Sequence, residues 1–416
     1  MKLKIIDLKF PLYFSKKIAF SKDNKNNLSK VIVYIGRLSV ALGIIVSLIT
    51  ISTGLGSKKA IEDRISNFSG DISVKSTRSN SSYNTSILDT NGLDKKAIKS
   101  VPGVAGLQSY AAVSGILRTE NNFAGVILKG VGKDFDKARF EPFMIQGSIP
   151  DYKEDGYKNE IILSEKIASD LALKTSDSIV AIFSKEDQKP IYRKFLIKGI
   201  YKTDIKLVDD LYIIGDINHV RKVLNMNETE VGGLDVFLED TDQIADVFPK
   251  IEKYIGYKNY AEKVTEKYPQ ILDWVNIFNQ NISLIITIML LVVVINIVMV
   301  LLILIIERTN SIGLLKTFGA TNGQIRSIFI NYTLMIMIPG LLAGNIIGIG
   351  LLLIQKYTGI IKLDPENYFI STVPVDLNPI YIISVSVGIF IVSGIAMILP
   401  SYLISRISPL KAIKYS

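Results

Sequence analysis

The chain has no cysteine, one histidine and one tryptophan among its 416 residues. Without cysteine it can form neither disulfides nor thiolate metal sites, so a domain in an oxidising compartment would depend on its own hydrophobic core. One imidazole, His219, cannot build a zinc site of ordinary composition by itself. We therefore interpret His219 as a surface residue and expect no metal site.

The usual signatures of enzymes are also missing. No Gly-x-x-x-x-Gly-Lys-Ser/Thr phosphate loop occurs, and the nearest candidate, Gly54-Leu-Gly-Ser-Lys58, has the wrong spacing. No Gly-x-Ser-x-Gly elbow is present, and serine catalysis would have no base except His219. The acidic pairs Asp209-Asp210 and Glu228/Glu230 are typical of solvated loops. We expect no catalytic residue and no cofactor, with ATP bound by another chain.

What the chain does have is apolar sequence in long runs. It is 48% hydrophobic yet 21% charged, which indicates a membrane part joined to a polar part. A hydrocarbon core of about 30 Å requires about 20 apolar residues in a helix. Four runs are long enough: Val31–Thr53, Ile282–Ile306, Ile328–Ile354 and Ile380–Leu399.

These runs divide the chain into predicted segments. Residues 1–30 form a cytoplasmic segment, in which Leu3–Phe20 is an amphipathic helix or, alternatively, a disordered basic tail. Residues 31–56 form the first membrane helix, residues 57–280 a polar domain, and residues 281–416 the remaining three membrane helices and the tail. Within the polar domain, alternating strands and short amphipathic helices predict an α+β fold.

Charge predicts the orientation. Residues 1–30 carry +6, the 307–327 loop +2 and the tail from Pro400 +3, whereas residues 57–273 carry −2 and the 355–379 loop −1. Basic segments remain on the cytoplasmic side of a membrane. The net charge of +9 therefore reports topology and does not imply binding to nucleic acid. We predict a bacterial inner-membrane protein with both termini in the cytoplasm and the polar domain on the extracytoplasmic side.

Small and polar residues inside the apolar runs predict how the helices meet. Small residues at four-residue spacing let two helix backbones approach closely. Asn296, in the middle of the second run, would form an interhelical hydrogen bond or, as the alternative, contact substrate. The predicted packing residues are Ser39, Gly43, Ser47, Gly340, Gly344 and Gly348.

A polar-amphipathic segment separates the second and third runs. Ile312, Leu315 and Phe318, at three-residue spacing, predict a short surface helix over residues 308–320 with one apolar face. Gly319 would end this helix. The pair Glu307-Arg308, the following Gly-Leu-Leu-Lys and the Gly-Ala after Phe318 resemble the coupling helix of FtsX-like ABC transporter permeases, which docks on a separate ATPase.

Further blocks extend the resemblance over essentially the whole chain. Val40–Gly54 looks like the first helix of the lipoprotein-releasing permeases (LolC/LolE type), and Glu160–Leu173 resembles the periplasmic core that they share with MacB-like exporters. The Tyr368-x(5)-Pro374 element is similar to that branch, and the Pro409-Leu-Lys-Ala412 ending to the wider family. The resemblance implies four transmembrane helices with an α+β, MacB-like extracytoplasmic domain between helices 1 and 2.

The resemblance also implies partners and a mechanism of mechanotransmission. These are a LolD-like ABC ATPase, a second permease copy or paralogue, a lipoprotein substrate, membrane lipids and a periplasmic lipoprotein carrier. The implied ATPase-coupling residues are Glu307, Arg308, Ile312, Leu315, Lys316, Phe318, Gly319 and Ala320. The implied lipoprotein cavity is lined by Leu42, Val46, Ile49, Ile288, Leu291, Ile295 and Asn296, although lipid-facing helix is the simpler interpretation of most of these side chains.

One departure from the family bears on the carrier. In the lipoprotein-releasing branch, one of the two permeases captures the carrier with a long hook in a mid-domain hairpin. Here the corresponding turn is only Ser184–Pro190, which favours the partner permease's role or another handover surface. The alternatives to lipoprotein release are a MacB-type exporter of peptides or toxins and an FtsX-like signalling permease that controls a cell-wall hydrolase.

Overall fold

The computed structural model of the chain describes residues 11, 13, 15, 27–79, 83–152, 157–184, 189–364, 368 and 370–406. All but three residues of the predicted N-terminal amphipathic helix, most of the Ser184–Pro190 turn and the whole Pro409–Ala412 ending lie outside these residues. Two compact units are present. The helical unit comprises Met1–Ser57, Asn276–Ile361 and Val373–Ser416, and the sheet unit comprises Lys58–Val275 and Lys362–Thr372.

The described residues form α-helices and β-strands in mixed order, together with short 3-10 turns. The helices are α1 (Asn27–Ser69), α2 (Lys95–Ser100), α3 (Lys137–Phe140), α4 (Glu165–Asp170), α5 (Lys206–Asp209), α6 (Ile217–Leu224), α7 (Ile244–Glu252), α8 (Val264–Lys267), α9 (Pro269–Glu307), α10 (Thr309–Thr317), α11 (Asn322–Thr358), α12 (Pro379–Ala396), α13 (Ile398–Ser401) and α14 (Leu403–Arg406). The strands are β1 (Ile72–Ser76), β2 (Leu88–Asp89), β3 (Val104–Arg118), β4 (Phe123–Val131), β5 (Met144–Gly147), β6 (Glu160–Ser164), β7 (Ser178–Phe183), β8 (Ile191–Tyr201), β9 (Tyr212–Asp216), β10 (Glu230–Val231), β11 (Gly233–Leu238) and β12 (Asn259–Lys263).

Four helical stretches of the described chain are long and apolar enough to cross a membrane, and the α+β domain lies between the first and the second of them. This confirms the predicted fold class. The helix α1 continues well beyond its apolar run because Ile61, Ile65 and Phe68 recur at helical spacing and are buried. The stretches are Val31–Ser69, Asn276–Glu307, Asn322–Thr358 and Pro379–Ser405.

The sheet unit is built on a ten-stranded sheet in which six strands close into a ring. The ring runs β3, β4, β9, β6, β8, β7 and back to β3. The long strand β3 makes closure possible, because its first half pairs with β11 and its second half with both β4 and β7. Each of these six strands therefore pairs on both sides, although β6 and β9 meet at one residue pair, Ile162 with Ile214.

Short-range structure in the sheet unit follows from the local sequence. Ser164 ends β6 and caps α4, accepting a hydrogen bond from the Ile167 amide. Strands β7 and β8 pair antiparallel around the predicted turn. Their inward side chains, including Phe183 and Phe195, join one apolar core with the inner faces of the other strands.

Two predictions about polar residues in this unit are wrong. His219 is not a surface residue: it lies on α6, is 2% exposed and packs edge-to-face on Phe195 with the ring centroids 4.9 Å apart. Asp209 is not a solvated loop residue either. Its carboxylate is buried and accepts hydrogen bonds from the Thr203 amide and hydroxyl. Phe195 lies in a separate strand, whereas Thr203 is six residues before Asp209 in the chain.

Candidate functional site

The segment after α9 turns into a separate short helix. Hydrogen bonding continues through the turn, since the Arg308 amide donates to the Leu304 carbonyl and the Ile312 amide to the Arg308 carbonyl. The helix α10 ends because Gly319 adopts φ +89°, a left-handed conformation that favours glycine. Ala320 follows, its amide bonded to the Leu315 carbonyl. The segment that resembles a coupling helix is therefore a helix with defined ends.

The apolar residues of α10 do not share one face. Ile312 is fully buried and Leu315 partly buried, whereas Phe318 is 79% exposed. At 100° per residue, Phe318 lies about 120° around the helix from Ile312. The prediction of a single face is therefore wrong: Ile312 and Leu315 attach α10 to the helical core, and Phe318 points away from it.

The exposed face includes a residue that sequence analysis missed. Leu314 is 54% exposed and stands four residues before Phe318, so the two side chains lie about 40° apart around the helix. We call Leu314 and Phe318 the exposed pair. Their four-residue spacing was present in the sequence but was overlooked in favour of the three-residue one.

Lys316 has an internal role. Its Nζ donates a hydrogen bond of 2.8 Å to the Ile404 carbonyl of α14. Nearby, the Arg326 guanidinium lies 4.0 Å from the ring centroid of Tyr402. These two contacts bind α10 and the start of α11 to the turns that follow α12.

The two rows of small residues serve two different interfaces. Gly340, Gly344 and Gly348 of α11 lie against α1; a Cβ at Gly344 would stand 2.8 Å from the Ala41 carbonyl oxygen. Gly43 instead faces α9, where Val293 fills the space of a Cβ. Close backbone approach therefore holds α1 between α9 and α11. In the same row of α1, Ser39 is partly buried and Ser47 is buried.

The residues predicted to line a lipid cavity differ in exposure. Leu42 on α1 is 51% exposed, and on α9 Ile288, Leu291 and Ile295 are 45%, 52% and 59% exposed. Val46 and Ile49 are partly buried, and Ile49 packs against the helical core. The Asn296 amide donates to the Val292 carbonyl of its own helix at 2.9 Å. Its interhelical bond and its contact with substrate stay predictions.

Both ends of the loop before α12 are bonded within the helical unit. The Gln355 amide donates to the Ile361 and Val373 carbonyls and accepts from the Ile361 amide. Pro374, from the Tyr368-x(5)-Pro374 element, lies so close to Gly56 that a Cβ there would stand 2.9 Å from its carbonyl oxygen. Sequence analysis did not single out Gln355, whose partners lie beyond the end of its helix.

The last turns of α1 are bound inside the sheet unit by two cations. The Arg64 guanidinium pairs with Asp204 and donates to the Thr203 carbonyl at 2.8 Å. The ammonium of Lys129, on β4, donates to the Phe68 carbonyl at 2.6 Å and pairs with Asp235 at 3.0 Å. Charge-assisted bonds of this kind are stronger than neutral ones. The end of α1 is thus attached to the sheet by bonds as well as by apolar packing.

Burial shifts the pKa of two groups in the sheet unit. Burial raises the pKa of Asp209 to about 6, against the opposing hydrogen bonds from Thr203. Burial lowers the pKa of His219, whose Nε2 lies 3.0 Å from the Lys158 carbonyl. Within the part of the chain that the structure describes, no three His, Asp or Glu side chains are grouped to hold a metal ion.

Comparison with known proteins identifies the family. Residues 38–254 match the MacB-like periplasmic core domain, more than half of the chain, and residues 283–409 match the FtsX-like permease C-terminal domain. The chain belongs to the MacB-like, FtsX-like permeases. Such permeases are the membrane subunits of ABC transporters, and this family membership covers both units described above.

Relatives of this permease are similar over nearly the whole length. The lipoprotein-releasing system transmembrane protein LolC of Xylella fastidiosa (strain 9a5c) is 22% identical over 91% of this chain and 92% of its own. LolE of Haemophilus influenzae is 23% identical over 92% and 94%. The crystal structure of the periplasmic region of MacB from Actinobacillus actinomycetemcomitans is 16% identical over 48% of this chain and 91% of its own, with a TM-score of 0.33.

Proposed function

We propose that this permease extracts lipoproteins from the inner membrane for transfer toward the outer membrane, driven by ATP hydrolysis on a separate ATPase. The observation that carries the proposal is the exposed pair, Leu314 and Phe318, on a short helix whose other side is held by Ile312 and Lys316. An exposed apolar pair on an anchored helix suits a partner protein better than water. The relatives named as lipoprotein-releasing proteins support the substrate class.

In this mechanism, the ATPase docks on α10 from the cytoplasm. The +2 charge of the 307–327 loop and the +6 of residues 1–30 support a cytoplasmic position for α10 and both termini, with the sheet unit outside. Closure of the ATPase would move α10. The bonds of Lys316 and Arg326 would pass that movement to α11 and α12.

The helix α1 would carry the movement to the external domain. It packs closely on α11 through Gly340, Gly344 and Gly348, and its last turns are bound in the sheet unit through Arg64 and Phe68. One continuous helix would therefore connect the driven part with the part that handles the substrate. A second permease copy or paralogue would complete the assembly, with the periplasmic carrier as the acceptor.

The exposed side chains of α1 and α9 would receive the acyl chains. Each buried methylene is worth about 0.8 kcal/mol, so lifting acyl chains into water costs on the order of tens of kcal/mol. Extraction therefore requires an apolar shelter throughout. Leu42, Ile288, Leu291 and Ile295 offer exposed apolar surface and no charge, which supports their assignment to this shelter.

The docking step is tested with Phe318→Asp, after co-expression with the cognate ATPase. A carboxylate buried at the docked face would be unpaired, at a cost of several kcal/mol, so ATPase recovery should fall more than tenfold. Folding should be unaffected, because the side chain is exposed. Tyr357→Asp, at an 82% exposed residue near the end of α11, is the matched control and should retain the ATPase. Normal recovery and release with Phe318→Asp would contradict docking on α10.

The substrate is tested with a photo-crosslinker at Leu42 or Leu291. Acylated lipoprotein should be captured in the absence of ATP, and adding ATP should reduce the captured fraction. Capture of phospholipid alone in both states would favour the signalling permease. Capture of a soluble peptide at the sheet unit would favour the exporter, and either result would refute lipoprotein release.

A further inference from the structure

The sheet unit contains a small cavity with an unusual lining. The cavity has a volume of about 110 Å³ and lies among the ends of α1 and α8 and the strands β1, β3, β4 and β9. Three lysines line it, namely Lys75, Lys129 and Lys267, together with four tyrosines. Among the described residues that line it there is no Asp or Glu.

The lysines of the cavity carry one positive charge in excess. Lys75 pairs with Glu262 at 2.6 Å, and Lys129 pairs with Asp235 at 3.0 Å. Lys267 has no ion pair or hydrogen bond to any residue that the structure describes. Its Nζ instead lies 5.4 and 5.5 Å from the ring centroids of Tyr110 and Tyr268. Asp235 and Glu262 attract this ammonium without forming an ion pair with it.

Burial makes this excess charge unfavourable. Desolvation lowers the pKa of Lys129 and of Lys267. The ammonium of Lys267 lowers the pKa of Lys129 further and that of Lys75 lowers the pKa of Lys267, while Asp235 opposes both shifts. Lys129 is 4% exposed and donates two bonds, to the Phe68 carbonyl and to Asp235. An ammonium has three N–H donors, so one remains. An anion between the two lysines would relieve the repulsion and use the remaining donor.

The tyrosines of the cavity can act as neutral donors. Burial raises the pKa of Tyr110, Tyr212 and Tyr268, so their phenols stay protonated at neutral pH. The Tyr268 hydroxyl lies 2.8 Å from Ser69 Oγ at the end of α1. Ammonium and phenol groups around one small space form the kind of environment that holds an oxyanion.

We propose that this cavity binds one singly charged phosphate group, with Lys267 and Lys129 as its cationic contacts. One negative charge balances the excess of the three lysines. A volume of about 110 Å³ has room for several waters or one small oxyanion, and no room for an acyl chain. The group is either free phosphate or the phosphodiester of a lipid headgroup, which share this chemistry. The site goes beyond lipoprotein release and does not depend on it.

Binding would also strengthen the attachment of α1. Lys129 holds the Phe68 carbonyl in the last turn of α1, so an anion that stabilises its charged form stabilises this bond as well. Occupancy would therefore be coupled to the stability of the sheet unit. Any ligand that binds only the folded state raises the melting temperature in a saturable way.

The test uses the full chain in non-ionic detergent, melted in increasing sodium phosphate against sodium chloride at equal ionic strength. Wild type should show a saturable rise of several degrees with phosphate only. Lys267→Met should abolish the rise, and it breaks no ion pair. Lys258→Met, an exposed lysine outside the cavity, is the control and should keep it.

A second arm distinguishes the source of the phosphate. Mixed micelles with phosphatidylglycerol replace free phosphate, and zwitterionic phosphatidylcholine is their control. A response to phosphatidylglycerol alone that Lys267→Met abolishes assigns the site to a lipid headgroup. Equal responses of wild type and Lys267→Met, or no response in either arm, would refute the site and leave Lys129 as a structural ion pair. Because no ATPase is present, a failure here is distinct from a failure of the transport proposal.

Discussion

The contact of α1 with α11 predicts a large effect from one added methyl group, Gly340→Ala. A Cβ at Gly340 would stand 2.6 Å from the carbonyl oxygen of Arg37 and 3.2 Å from its Cα, both backbone atoms that cannot rotate away. An ordinary contact is at least 3.4 Å, so the two helices must separate by about 0.8 Å at this point. A gap of about 0.5–1 Å removes a quarter to a half of the attraction of each facing contact.

The magnitude follows from two opposing effects. Overpacking of this kind costs about 1–3 kcal/mol. Alanine favours a helix over glycine by about 0.8–1 kcal/mol, which offsets part of that cost. Gly350→Ala, in the same helix, gains the helix preference of alanine without the overpacking cost, because nothing lies within 4 Å of its added Cβ. The difference between the two variants therefore isolates the packing cost of about 1–3 kcal/mol.

The assay is thermal unfolding of both variants in the same detergent. At roughly 2–4 °C per kcal/mol, Gly340→Ala should melt roughly 2–12 °C below Gly350→Ala. If the two variants melt within a degree of each other, the close approach of α1 and α11 at Gly340 is refuted.

Two further predictions concern the sheet unit. The pKa of Asp209 is raised from 3.8 to about 6, so the native state binds this proton more tightly than the unfolded state does. The stability that this group contributes is therefore present below about pH 4 and is lost as the pH rises through 6. Asp209→Asn should remove this loss from melting curves between pH 4 and 7, and parallel wild-type and variant curves would contradict the assignment. Arg64→Met should leave the buried Asp204 carboxylate without its main partner, at about 1–3 kcal/mol, and speed hydrogen exchange over residues 58–69. The exposed Lys59→Met is the control, and equal exchange in the two variants would count against the attachment.

Much of the fold could be predicted because the signals are local. Apolar runs such as Ile380–Leu399 reach membrane length, and Ser164 carries its capping information within three residues. Ring closure could not be predicted in this way. Alternation along β3 and β7 reports which face each residue takes, but not that Arg118 pairs with Val180. That pairing depends on the twist and length of several strands together.

The candidate site shows the same division. Sequence analysis found the short helix α10 and its end at Gly319, but assigned Phe318 to the wrong face, because two successive steps of three residues rotate by about 120° away from Ile312. It did not find that the Nζ of Lys316 is bonded to the carbonyl of Ile404, far along the chain, and the coupling role of Lys316 stays a prediction. His219 was misplaced for a related reason, since its burial depends on Phe195 from another element.

The way the chain enters and leaves the sheet unit has a mechanical consequence. Strand β1 follows α1 directly, β12 leads through α8 to α9, and the two strands pair antiparallel with Ile72 opposite Lys263. Tension that draws the ends of α1 and α9 apart would therefore peel the strands from one end, breaking hydrogen bonds in succession. Tension on both together would shear the pair against β11 and load several bonds at once. The sheet unit would thus open at low force when α1 and α9 are pulled apart, and would resist a force that pulls both helices in the same direction.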